Sequence, residues 1–173
     1  MGHLTMRENE NGLLIQQEEL FNYLCGMMKC RMMKEQKLFD PLRRKWVAGT
    51  PEEAVRQGVI AWLHQQLGAP LTLMASEYGF TYNGRQYRAD IVAFDRELKP
   101  LLLVECKAPE VTVDQTVVEQ ALRYNRVLDV KFIMVTNGKT SYICRRKADG
   151  GGVFEQLASF PTYEEMLASS SAL

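Results

Sequence analysis

Arg88-Ala89-Asp90-Ile91-Val92-Ala93-Phe94 and, a few residues on, Leu101-Leu102-Leu103-Val104-Glu105-Cys106-Lys107 decide how this chain is read. Both runs have the length and composition of strands. Side chains alternate faces along a strand, so Glu105 and Lys107 point one way and Cys106 the other. Packing gives an apolar run no reason to end in Glu-x-Lys. As neighbouring strands, the two runs would carry Asp90, Glu105 and Lys107 toward one place. Carboxylates close enough to repel are best explained by a divalent cation between them, and oxygen ligands suit Mg²⁺. A lysine two residues on can then stabilise charge developing on a phosphate. The backbone carbonyl of Cys106 is the expected third ligand, because it lies between the two site residues; its thiol belongs to the core.

Outward from these strands the chain alternates. Upstream, Thr50-Pro51-Glu52-Glu53 opens a helix, with a capping threonine, a proline in the first turn and acids at the positive dipole end. Val55, Val59, Ile60, Trp62, Leu63 and Leu67 give this helix a buried stripe, and Gly68-Ala69-Pro70 ends it. A strand over Leu71–Tyr82, an Asn83-Gly84 turn and a strand over Tyr87–Phe94 form a hairpin. The unbroken apolar run Leu101–Cys106 implies cover on both faces of the sheet. Downstream, a helix over Val113–Asp129 and an apolar strand over Phe132–Thr136 imply a crossover and parallel pairing. Asn137-Gly138 turns into a strand over Ser141–Arg146, and Thr162–Ala168 closes the chain as a short helix. Gly138-Lys139-Thr140 is part of this hairpin and not a phosphate loop, since position 133 is isoleucine where a glycine is needed and a strand follows.

The 173 residues suffice for one domain with a substantial core. Lysine and arginine number 21 and aspartate and glutamate 21, which argues against a generic charge-driven nucleic-acid binder. Any such contact must come from a local patch, and Arg43-Arg44-Lys45 and Arg145-Arg146-Lys147 are the clusters on offer; a solvated face is the plainer account of each. Cys25, Cys30, Cys106 and Cys144 lack zinc-ligand spacing. With neither a signal peptide nor an apolar stretch approaching the ~20 residues of a membrane span, free thiols in a reducing cytoplasm are expected.

Asp90…Glu105-Cys106-Lys107 resembles the signature of the PD-(D/E)xK nuclease superfamily. More narrowly, the chain resembles the N-terminal domain of type I restriction enzyme R subunits and their short stand-alone relatives. Three further segments carry the likeness: Thr50-Pro51-Glu52-Glu53-Ala54-Val55-Arg56-Gln57, Glu119-Gln120-Ala121-Leu122-Arg123-Tyr124-Asn125 and Val135-Thr136-Asn137-Gly138. It runs from about Asp40 to Arg146. Ala89 stands where the superfamily name has proline, a position that bears no chemistry. The resemblance implies an α/β, restriction-endonuclease-like mixed central sheet flanked by helices over residues 40–173. Residues 1–39, with a Leu-, Met-, Lys- and Glu-rich helix over Glu18–Lys37, form an N-terminal extension outside it, and the sequence leaves its role open between an accessory helix, an oligomer contact and a poorly ordered segment.

The resemblance also implies roles. Asp90 and Glu105 would hold Mg²⁺, with Mn²⁺ able to substitute, and Lys107 would position or activate the attacking water. A glutamate of the first helix would stand beside the metal. Glu53 shares a face with Ile60, Leu63 and Leu67, while Thr50-x-x-Glu53 is also a capping box that explains the residue structurally; Glu52 stays open as the alternative. Gln120 and Tyr124, four apart on one helix face with Val117 and Leu128, match a Gln-x-x-x-Tyr motif that faces the site and supports Lys107 or nucleic acid. The bland account is a core amide that must find a partner. His64 is expected to be an exposed bystander. The implied activity is metal-dependent phosphodiester hydrolysis of DNA. There is no room in the chain for a helicase motor, so a restriction-system or helicase partner protein would supply one. The alternative is a catalytically silent nuclease-fold module that binds nucleic acid or protein.

Overall fold

The computed structural model describes residue 22 and residues 37–82, 84–147 and 152–170; the side chains at 82, 120, 122–127 and 170 lie outside that description. The expected helix over Glu18–Lys37 therefore falls, apart from residue 22 and Lys37, outside the described residues. Lys37 itself opens a strand, β1 (Lys37–Asp40), which pairs antiparallel with β2 (Lys45–Ala48). The boundary drawn between residues 39 and 40 thus falls inside β1.

Helix α1 (Pro51–Gln65) begins at its expected cap: Thr50 is extended, and its hydroxyl accepts the Glu53 backbone amide at 3.1 Å. Leu71–Leu73 forms a single 3-10 turn where strand was expected, closed by the Leu73 amide on the Pro70 carbonyl. Proline pre-sets the φ for such a turn. The main sheet then runs β3 (Met74–Tyr82), β4 (Arg85–Phe94), β5 (Pro100–Cys106), β6 (Phe132–Thr136), β7 (Ser141–Arg146) and β8 (Phe154–Gln156), in that spatial order. Helix α2 (Gln115–Leu128) joins β5 to β6, and α3 (Tyr163–Ser170) follows β8. Only β5 and β6 pair in parallel; the other four pairings are antiparallel. This is the expected α/β mixed sheet flanked by helices. Among the described residues no helix is long and apolar enough to cross a membrane.

The run Leu101–Val104 is fully buried because both faces of the sheet are covered. On one face Leu102 and Val104 join Val55, Val59, Ile60 and Leu63 of α1 and Tyr163 and Met166 of α3. On the other, Leu103 joins Ile133, Val135 and Val118 and Ala121 of α2. Each fully buried aliphatic side chain of this kind contributes roughly 1.5–3 kcal/mol, so the two layers fix β5 firmly between its neighbours. Its last residues are the ones that leave the apolar pattern.

At Glu77 the hairpin departs from regular strand. Glu77 has φ +55°, left-handed for a residue with a side chain, and lies across from Asp90 between the pairs Ser76↔Ile91 and Tyr78↔Ala89. The apolar partners change layer there: Ile91 packs on the α1 side, whereas Tyr78 and Ala89 pack on the α2 side. Strain of this sort costs on the order of 1–3 kcal/mol and gathers at functional sites.

Candidate active site

Asp90 and Glu105 come together at the carboxyl end of β5, beside the carboxyl end of its parallel neighbour β6. Open sheets commonly bind ligands at such ends. Asp90 is anchored by the backbone: its Oδ2 accepts the Cys106 amide at 2.6 Å. One residue earlier, Glu105 holds the ammonium of Lys107 at 2.9 Å. The Lys107 amide donates to the Thr136 carbonyl at 2.8 Å, so the chain stays on the edge of β6 one residue past the strand. The expected trio of Asp90, Glu105 and Lys107 is therefore one local cluster.

Its electrostatics are those of crowded acids. Burial pushes the Glu105 carboxyl up and the charge of Asp90 adds to it, more than Lys107 offsets. Burial draws the Lys107 ammonium down, but the bond and charge of Glu105 outweigh this and hold it above its ordinary value. The Cys106 thiol faces the core and burial pushes it well up; burial likewise lifts Cys144 to about 12. Burial thus disfavours the thiolate of both, and Cys106 lies in the core as expected.

Glu53 is buried, and its carboxylate does not complete the capping box. The Thr50 amide donates instead to the Ala48 carbonyl at 2.9 Å. Glu53 accepts the Gln57 amide at 2.8 Å and an Arg43 nitrogen at 3.0 Å on Oε1, and an Arg56 nitrogen on Oε2. In α3 the same Thr-x-x-Glu pattern closes fully, with Thr162 and Glu165 bonded reciprocally at 2.7 and 3.3 Å. The difference lies in the surroundings, since Glu53 has two guanidiniums and an amide within reach. Glu52 is half exposed and lies 3.5 Å from Arg56.

The residue that sequence reasoning missed is Arg56. Its guanidinium reaches Asp90 Oδ1 at 2.7 Å, Glu77 Oε1 at 2.8 Å and Glu53, and so ties α1 to β3 and β4. Glu77 was missed as well; its second oxygen holds Arg88 at 2.7 Å. Behind Glu53 stands Asp40, fully buried, which accepts the Leu42 and Arg43 amides, the Arg43 guanidinium and the Ser76 hydroxyl. Alternating charges thus run Asp40–Arg43–Glu53–Arg56–Asp90 from the small hairpin to the cluster. The sequence signal available for Arg56 was its spacing three and four residues after Glu53 and Glu52.

Helix α2 carries Gln120 and Tyr124, whose side chains lie outside the described residues. Asn137 proves structural: its side chain accepts the Lys139 and Thr140 amides and donates to the Val111 carbonyl at 2.8 Å, pinning the segment that leaves β5. His64 is exposed, as expected, with Nδ1 2.9 Å from the Ala69 carbonyl. Of the two basic clusters, Arg43, Arg145 and Arg146 are taken by ion pairs with Asp40 and Glu53, Glu155, and Asp129 respectively. Arg44, Lys45 and Lys147 are exposed.

No curated protein matches the chain. Among solved structures it is similar to a fragment from Vibrio vulnificus YJ016 described as an HsdR subunit of a type I restriction enzyme, at 27% identity and TM-score 0.49. That match covers 67% of this chain and 24% of the other, so the chain spans about a quarter of that relative's length. Residues 51–161, from the first residue of α1 to the loop before α3, match the family described as type I restriction enzyme R protein N terminus (HSDR_N), and the chain belongs to that family.

Proposed function

We propose that this domain hydrolyses phosphodiester bonds in DNA with a divalent cation, through a site of the PD-(D/E)xK kind, and that it acts within a restriction system. The observation that carries the reading is the meeting of Asp90, Glu105 and Lys107 at the end of β5 with Glu53 close behind. Membership of the family supports the setting.

The donor set fits Mg²⁺ or Mn²⁺. Among the described residues no three His, Cys, Asp or Glu side chains form a ready cage. Mg²⁺ does not need one, because it binds through one or two carboxylates and keeps several waters. Burial first and the charge of Asp90 second disfavour the ionised Glu105, and a cation there would offset both. Asp90 and Glu105, with the Cys106 carbonyl, are the residues that would hold it, and Glu53 would stand behind them, joined to Asp90 through Arg56. When bound, the cation would polarise the scissile phosphate and lower the pKa of a water.

The remaining work falls to this chain's own groups. The bond and charge of Glu105 hold the Lys107 ammonium above its ordinary value, so it offers a positive charge to the developing charge of the phosphate. Glu105 orients that ammonium. The Cys106 amide fixes the rotamer of Asp90, and Gln57, Arg43 and Arg56 fix that of Glu53. Arg44 and Lys45 at the tip of the β1–β2 hairpin are cations free to meet a phosphate backbone.

The test is a cleavage assay on single- and double-stranded DNA and on RNA with Mg²⁺, Mn²⁺ or chelator. Cleavage that needs the metal, and that disappears in Asp90→Asn and in Lys107→Ala while Lys107→Ala still binds DNA, is the expected result. A second reading, a silent module that binds without cutting, is favoured by one observation: Asp90 already has a guanidinium as its counter-charge. Wild-type protein that binds DNA in chelator and cuts nothing with any metal or restriction-system partner establishes that reading instead.

A further inference from the structure

Arg56 is the most buried cation of the cluster, its side chain 5% exposed, and each of its ion-pair partners among the described residues is a carboxylate. From its own helix come Glu52 and Glu53, from β3 Glu77 and from β4 Asp90. Its Nε is buried with no hydrogen-bond partner. A buried guanidinium with one donor unsatisfied is costly unless its other contacts are strong. Here both terminal nitrogens make charge-assisted bonds, and the planar fork suits several carboxylates at once.

The bonds are unevenly shared. Glu53 also has Arg43, Glu77 also has Arg88, and Glu105 has Lys107. Asp90 has Arg56 as its one salt-bridge partner among the described residues, on Oδ1, while Oδ2 is taken by the Cys106 amide. The Asp90 oxygen that is not bonded to the backbone therefore carries the guanidinium. A cation on that same oxygen would stand at contact distance from the guanidinium, and like charges so close repel.

We propose that Arg56 is an internal counter-cation that holds the acid cluster together without metal and competes with the divalent ion for Asp90, thereby setting how tightly the site takes metal. The inference rests on the metal reading above. Ceding Oδ1 leaves the guanidinium its bonds to Glu77 and Glu53 through the other nitrogen, so the exchange needs no change of fold. Glu77, held in a left-handed conformation across from Asp90, is placed to retain it.

The experiment measures Mn²⁺ affinity from the signal of free Mn²⁺ in paramagnetic resonance, together with melting temperature in chelator and in Mn²⁺. Four proteins are compared: wild type, Arg56→Gln, Arg56→Lys and Asp90→Asn. Removing a unit charge at contact distance from a ligand should tighten Mn²⁺ binding by about tenfold or more. Arg56→Gln should accordingly melt lower than wild type in chelator and gain more from Mn²⁺. Arg56→Lys keeps the charge but cannot hold Asp90 and Glu53 together, so its affinity should fall between the two. Folding of Arg56→Gln only when Mn²⁺ is present also supports the proposal, because the metal then supplies the missing charge. If Arg56→Gln folds in neither condition, Arg56→Lys decides: Mn²⁺ binding no tighter than wild type overturns the proposal. The same outcome in a folded Arg56→Gln overturns it too, and leaves the metal site standing if Asp90→Asn has lost its response. Absence of any Mn²⁺ binding in all four proteins overturns both the metal site and the inference built on it.

Discussion

Asp40 gives the sharpest test of how the cluster is supported, because it is remote from the proposed chemistry and fully buried. Its carboxylate accepts the Leu42 amide at 2.8 Å and the Arg43 amide at 2.9 Å on Oδ1, and the Arg43 guanidinium and the Ser76 hydroxyl at 2.7 Å on Oδ2. In Asp40→Asn the amide oxygen can keep both backbone bonds, while the new amide group confronts two former donors. The Ser76 hydroxyl can turn and accept; Arg43 cannot. One charge-assisted bond is lost, worth ~1.5–3 kcal/mol. Arg43 is partly exposed and keeps Glu53, which moderates the loss, so we expect about 2 kcal/mol. For a domain of this size that is a fall of about 4–8 °C in melting temperature. Asp40→Ala strands every donor and should cost ~3–5 kcal/mol. Urea melts at pH 7 should show a lower midpoint with unchanged slope. The acid limb supplies an independent check. Burial pushes the Asp40 carboxyl up, but the Arg43 amide, Ser76 and the Arg43 guanidinium outweigh it and hold its folded pKa below the usual 3.8. A depressed folded pKa contributes stability that is present above the unfolded value and lost as pH falls through the folded one. Wild type should therefore weaken below about pH 4 more steeply than Asp40→Asn. A mutant within ~0.5 kcal/mol of wild type, with the same acid limb, would refute the reasoning.

Three further outcomes are expected. Glu105→Gln should raise the melting temperature of the metal-free protein at neutral pH, because burial and Asp90 disfavour the ionised acid there, while abolishing cleavage; a lower melting temperature refutes the account of crowded acids. Thr162→Ala removes the cap of a complete capping box and should cost ~1 kcal/mol in a denaturant melt without altering cleavage. Gln120→Ala separates two roles: cleavage lost with stability kept places Gln120 at the site, whereas a loss of ~1–3 kcal/mol with activity tracking the folded fraction places it in the core.

Much of the architecture was open to a reader of the sequence, and for local reasons. Leu101–Val104 and Phe132–Val135 are apolar without interruption, which only a doubly covered strand explains, and the Thr50 cap and the Asn137-Gly138 turn are decided by their own side chains. The meeting of Asp90, Glu105 and Lys107 followed from strand alternation and from the order of the motifs. The β1–β2 hairpin and β8 did not show in this way. The first has a buried aspartate in place of an apolar residue, and the second is three residues long. Only the tertiary structure decided what Glu53 does, since Thr-x-x-Glu reads alike in α1 and α3 and closes fully only where no guanidinium competes. Arg56, Asp40 and Glu77 were legible merely as charges on a helix or strand. Their partners lie 34, 36 and 21 residues away in the chain, at Asp90, Ser76 and Arg56, as their residue numbers give (90 − 56, 76 − 40, 77 − 56). An ion pair between distant segments leaves no periodic trace, because its energy depends on burial and distance, and these exist only once the sheet and helix have packed.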